Sequence, residues 1–97
     1  MFIASLSDVV LARSKHCIEI ENSVYFPDKD VCKNLLVETT TRTRCPWRGV
    51  ATYFDISIAD DYLADAAWSY LQPKIRARRI QGYIAFWKRV EVKKIEN

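Results

Sequence analysis

The chain has 97 residues, 49% hydrophobic and 28% charged, a balance that excludes disordered and collagen-like structure. That length is enough for one core but too short for a second independent unit, so positions 1–97 are expected to form a single domain. Its 15 Lys and Arg against 12 Asp and Glu leave a formal charge of +3, a surplus that favours solubility without requiring a polyanionic partner.

No segment approaches the roughly 20 apolar residues of a membrane-spanning helix, so no membrane partner is expected. Met1 to Ala12 is mildly apolar, but it lacks a preceding basic stretch and contains Asp8, unlike a secretory signal. The expected compartment is the cytoplasm. The three cysteines, Cys17, Cys32 and Cys45, form an odd, unpatterned set that suits reduced thiols better than a disulfide framework.

In chain order, Val9 to Ala12 reads as a short strand and Ser14-Lys15 as a polar break. His16 to Glu21 is a second strand, with Ile18 and Ile20 on one face and Cys17, Glu19 and Glu21 on the other. Asn22-Ser23 supplies turn chemistry before a third strand, Val24 to Phe26, which Pro27 ends. A meander is the simplest arrangement of these three.

From Asp28 to Leu36, Val31 and Leu35 recur at helical spacing behind two aspartates, which predicts one or two helical turns. Val37 to Arg44 is rich in Thr and carries Arg42 and Arg44, as an edge strand would. Val50 to Ile58 is the clearest strand: Phe54, Ile56 and Ile58 share one face and Tyr53, Asp55 and Ser57 the other. Residues 62–71 fit either a helical stripe or a strand and stay unassigned. Pro73 opens a short helix reaching about Arg79, with Gly82 as a stop signal. Ile84 to Val92 reads as one long closing strand, bent near Lys88. Together these elements predict a mainly β domain with a coiled antiparallel sheet or partly open barrel and one to three short helices.

Two compact aromatic segments stand out, Cys45-Pro46-Trp47-Arg48-Gly49-Val50-Ala51-Thr52-Tyr53 and Asp65-Ala66-Ala67-Trp68-Ser69-Tyr70, the second followed by Pro73. With Tyr25-Phe26-Pro27 before Asp30-Val31, and Ile80-x-Gly82-Tyr83-x-Ala85-Phe86 running into Arg89-Val90, they resemble a bacterial family known as domain of unknown function 427 (DUF427). The resemblance spans roughly positions 9–92 and implies a mostly β single domain with short helices, without an established activity. Trp47 stands where the family usually has Tyr, and Arg48 where it usually has Lys. A guanidinium stays protonated, so the second departure argues against lysine-based covalent chemistry but not against anion binding. A nucleotidyltransferase-like label attached to the family calls for paired carboxylates holding magnesium. Asp55, Asp60, Asp61 and Asp65 lie mostly in a turn without an Asp-x-Asp pair or Gly-Ser hallmark, which argues against that chemistry.

The leading functional expectation is a small-ligand-binding domain built from Cys45, Arg48, Tyr53, Trp68 and Tyr70, with Asp30 as a polar partner. Arg48 would hold an anionic group and the rings would pack on a planar one. A rival reading makes Cys45 a nucleophile or redox thiol favoured by Arg48, although the lone His16 sits in a predicted strand without an orienting carboxylate. A third takes Lys74, Arg76, Arg78 and Arg79, with Trp87, Lys88 and Arg89, as a single-stranded nucleic-acid surface. Against it stands a modest net charge better suited to a solvated face. The surplus of aromatic side chains also admits a homo-oligomeric interaction module. No metal or cofactor is expected: His16, Cys17, Cys32 and Cys45 lack the paired spacing of a zinc site, and His16 and Cys17 would point to opposite faces of a strand.

Overall fold

Short, tight turns dictate how this chain folds back on itself. In the computed structural model, which describes residues 1–96, Ser7 and Asp8 are both left-handed (φ 48° and 68°) between β1 (Phe2–Leu6) and β2 (Val9–Ser14). A two-residue loop with positive φ matches the natural twist of the strands it joins, and Leu6 pairs directly with Val9 across it. Glu21 (φ 54°) does the same between β3 (Ile18–Ile20) and β4 (Ser23–Tyr25). Single turns of 3-10 helix at Asp28–Asp30 and Lys33–Leu35 then lead into the long strands β5 (Leu36–Cys45), β6 (Gly49–Ile58) and β7 (Asp61–Ser69). A 3-10 helix, Ile75–Ile80, precedes β8 (Ile84–Phe86) and β9 (Glu91–Lys94).

Among the described residues all strand pairs are antiparallel and form three sheets, ordered β2-β1-β9, β3-β4 and β5-β6-β7-β8, with no closed barrel. The mainly β architecture with short 3-10 segments is therefore as expected. Phe26 and Ile84 exchange backbone hydrogen bonds of 2.8 Å each way, tying the small β3-β4 hairpin to the edge of the large sheet.

Alternation along the extended chain divides the interior into two apolar clusters. Phe26 joins Leu6, Leu11, Ile56, Ile84 and Phe86 in one, while its neighbour Tyr25 joins Ile20, Tyr70, Ala77, Ile80 and Ala85 in the other. Successive residues of an extended segment face opposite sides, so Tyr25-Phe26 and Ile84-Ala85-Phe86 each feed both clusters. Among the described residues no helix is long and apolar enough to cross a membrane.

Several local expectations are corrected. Phe2–Leu6, passed over in the sequence reading, is the central strand of its sheet. β2 pairs with β1 and not with β3, so the first strands do not make one continuous meander. Residues 62–71 resolve largely as strand, in β7. The long strand expected over Ile84 to Val92 is two strands in different sheets. Lys88 is left-handed (φ 59°) and the Val90 N–H bonds back to the Trp87 carbonyl at 3.2 Å, so the chain turns there and crosses between sheets.

Candidate functional site

The Cys45–Gly49 turn is held from two sides. Pro46 ends β5 because it has no N–H for the ladder, and Gly49 starts β6 at φ 112°, a conformation that side chains disfavour. Beneath the turn, the Lys74 N–H donates to the Arg48 carbonyl (2.9 Å) and Lys74 Nζ donates to the Pro46 carbonyl (2.6 Å). An added Cβ at Gly49 would stand in ordinary contact with the Pro73 Cα (3.5 Å) and the Lys74 nitrogen (3.4 Å), so the positive φ and not crowding is what favours glycine there.

The Arg48 side chain turns inward from this clamped turn and is only 14% exposed. One terminal nitrogen donates to the Glu21 carboxylate, while buried Nε has no partner. Tyr25, Tyr70 and Cys45 lie close enough to the guanidinium for their charges to act on it. Burial alone would lower the Arg48 pKa, but Tyr25, Glu21 and Tyr70 outweigh it and push it upward. Burial also pushes the Tyr25 and Tyr70 hydroxyls above their ordinary range.

Cys45 is half-buried. Desolvation works to raise its pKa, but the backbone N–H groups of Arg48 and Trp47 and the nearby guanidinium charge prevail and hold the thiol below its ordinary value. Trp68 completes the cluster. Its indole N–H donates to the Tyr25 hydroxyl (3.4 Å), its ring meets Tyr25 edge-on at 6.2 Å, and Tyr53 lies tilted over it at 6.4 Å.

The structure thus brings Cys45, Arg48 and Tyr70 together, with Tyr53 and Trp68 packed behind them, so the two aromatic segments share one side of the molecule. Asp30 is placed elsewhere: its carboxylate accepts from Ser14 Oγ at 2.6 Å, near Cys17. Glu21 was missed, and nothing in the spacing signals it, because it meets Arg48 across 27 residues from a turn whose only mark is Asn22-Ser23.

These rings pack as an interior cluster, and concave surface lies beside it. A concavity of about 450 Å³ is lined by Arg44, Gly49, Val50, Thr52, Leu71, Gln72 and Lys74. A second, of about 460 Å³, is lined by Pro46, Trp47, Lys74, Ile75 and Arg76. Lys74 lines both. The Arg48 guanidinium carbon stacks 4.5 Å from the centre of the Trp47 ring, joining this surface to the inner cluster.

Much of the remaining charge already has a partner. Arg89 pairs with Asp61 at 2.9 Å, and Lys88 donates to the Ala64 carbonyl. Asp55 accepts from the Tyr62 hydroxyl and the Asp65 N–H, while Asp65 accepts from Thr39 and Thr41. Among the described residues no group of three or more His, Cys, Asp or Glu gathers in a metal-holding arrangement. His16 contributes its backbone N–H to Ser14 Oγ.

Among curated proteins none matches the chain. The model of the family described as a domain of unknown function (DUF427) matches residues 3–96, nearly the whole sequence, with the fold and the paired aromatic segments just described. The chain belongs to the DUF427 family.

Proposed function

We propose that the protein binds a small planar anion on the surface formed by the Cys45–Gly49 turn and residues 71–76. The observation that carries this reading is the pair of concavities meeting at Lys74: their only charged lining residues are Arg44, Lys74 and Arg76, all cationic. Each volume lies within the roughly 300–1,000 Å³ range of small-molecule sites. Trp47 offers a ring face, and Arg48 stacked on it keeps that face next to positive charge. Lys74 donates one hydrogen bond to Pro46, which leaves ammonium donors for a ligand oxygen. In this arrangement Arg48 orients Trp47, and Lys74, Arg44 and Arg76 meet the anionic group.

Calorimetric titration with nucleoside monophosphates and aromatic carboxylates tests the reading. Lys74→Met and Trp47→Ala are each expected to weaken any hit at least tenfold, the loss of about one charge-assisted contact or one ring face. A hit that keeps its affinity in both variants removes the site.

A second reading, in which Cys45 is a reactive thiol, is favoured by the lowering of its pKa by the backbone N–H groups of Arg48 and Trp47 and the nearby guanidinium charge. Selective modification of Cys45 by a thiol probe at neutral pH supports it. Modification only after unfolding returns Cys45 to a packing role.

A further inference from the structure

We infer that the inward face of Arg48 is a binding site for a small oxoanion, a carboxylate or a phosphate group, whose place Glu21 occupies from within the chain. This inference concerns the Arg48 fork itself, which the proposed surface at Lys74 uses only to orient Trp47, and its test reads the two groups separately.

Arg48 carries an incomplete set of hydrogen bonds. A buried guanidinium is tolerated when its fork of N–H donors meets oxygens, and leaving one of them dry is costly. Arg48 is 14% exposed, yet Nε has no partner and Glu21 takes only a terminal nitrogen. Nε and a terminal nitrogen form the fork that receives two oxygens of one carboxylate or phosphate. Glu21 therefore satisfies half of a bidentate site.

The surroundings fit an anion better than a structural ion pair. Tyr25 and Tyr70 are 0% and 5% exposed, belong to one apolar cluster, and lie near enough to Arg48 to shift its pKa. A hydroxyl beside the fork can donate to an oxygen held there. No other carboxylate stands beside Arg48 among the groups that shift its charge.

Glu21 has the character of a removable occupant. Its side chain is 68% exposed, and it sits at φ 54° in a two-residue turn at the tip of the β3-β4 hairpin. An exposed carboxylate gains little from one ion pair and loses little by rotating into water. Rotation would open the fork and the two hydroxyls to an oxoanion from solution. An intramolecular carboxylate competes at high effective concentration, so wild-type affinity for a small anion should be suppressed.

The test is nuclear magnetic resonance of the full chain, following the Arg48 Nε–H during titration with acetate and, separately, inorganic phosphate. Total ionic strength is held constant with sodium chloride. Glu21→Gln is expected to bind at least one of these anions at least tenfold more tightly than wild type, with the Arg48 Nε–H shifting. The anion that gains identifies the headgroup. Arg48→Lys, which keeps the charge but loses the fork, should lose that gain when combined with Glu21→Gln. Equal affinities in wild type and Glu21→Gln would overturn the inference. So would shifts at Lys74 without a shift at Arg48 Nε. Glu21 is a surface residue, so the comparison of wild type with Glu21→Gln decides the matter even if Arg48→Lys does not fold.

Discussion

Thr41 Oγ1 donates to one oxygen of Asp65 at 2.9 Å, bridging 24 residues of sequence, and Thr39 Oγ1 donates to the other at 3.0 Å. Asp65 is also left-handed (φ 50°); its N–H donates to Asp55 (2.8 Å), and its carbonyl accepts from the Trp87 indole (2.6 Å). The pairing of β5 with β6 slips between Glu38 and Arg42, and that of β6 with β7 between Phe54 and Ile56. One aspartate thus satisfies polar groups freed where two strand pairs are irregular, and fixes how far the sheet bends.

Asp65→Ala should accordingly lower unfolding free energy by about 1–2 kcal/mol, because it strands the Thr41 hydroxyl, whereas Thr39 keeps the Tyr53 carbonyl as an acceptor at 3.1 Å. Asp65→Asn keeps an acceptor at one position and should cost about half as much. Urea denaturation with unchanged slope checks both values. A loss below about 0.5 kcal/mol for the alanine variant would return Asp65 to the ordinary range of surface positions.

Thiol reactivity should separate Cys17 from Cys45. Burial, assisted by Asp30, pushes the Cys17 thiol up to about 11, although Ser14 opposes the shift. Cys45 is held below its ordinary value by backbone N–H groups and Arg48 in spite of burial. Since thiolate is the reacting form, alkylation at pH 7.5 followed by peptide mass spectrometry should show Cys45 modified well before Cys17 in the folded protein. Equal rates would contradict the environments described for the two thiols.

The same shifts predict alkaline weakening of the fold. A thiol whose folded pKa rises from 9.0 to about 11 holds its proton more tightly when folded. That contribution is complete below pH 9 and is lost as pH rises toward 11. Tyr25 and Tyr70, raised above 10.0 mainly by burial, act in the same direction. The urea midpoint should therefore fall steadily from pH 9 to pH 11, and Cys17→Ala should flatten the early part of the decline. A midpoint independent of pH across that window would contradict the burial of all three groups.

What the sequence disclosed about this fold depends on where its strands are regular. Phe54, Ile56 and Ile58 alternate visibly, and β6 is found almost where expected. Residues 62–71 resisted assignment because left-handed Asp65 shifts the parity of β7, so Leu63, Ala66 and Ala67 fall at spacings that mimic a helix. The break at Lys88 is half legible: the parity exception there predicts a bend, but nothing about a lysine announces φ 59° or a crossing between sheets. The candidate site divides in the same way. Cys45 and Arg48 share one short turn, and Tyr70 belongs to a recognisable segment, so their importance is legible. Glu21 reaches Arg48 only through the joining of two hairpins, and Lys74 enters both concavities only because its segment packs beneath the turn.

The two glycines offer a separate check on that packing. Both have positive φ, 112° at Gly49 and 76° at Gly82, so alanine at either position carries backbone strain of about 1–2 kcal/mol. Their surroundings differ. A Cβ at Gly82 would meet nothing within 4 Å, whereas one at Gly49 would stand in ordinary contact with the Lys74 nitrogen, the Pro73 Cα and the Gln72 carbonyl at 3.4–3.6 Å. Gly49 at φ 112° lies well outside the small left-handed region other residues can enter, whereas 76° at Gly82 is close to it, and a backbone shift at Gly49 would disturb the neighbouring Lys74 N–H bond to the Arg48 carbonyl. Gly49→Ala should therefore cost more than Gly82→Ala by about 1 kcal/mol, the scale of the hydrogen bond placed at risk. It should also speed amide hydrogen exchange at Lys74, which Gly82→Ala should leave protected. Equal destabilisation with Lys74 protected in both variants would show that the turn tolerates displacement, and would remove the rigid clamp on which the proposed anion surface depends.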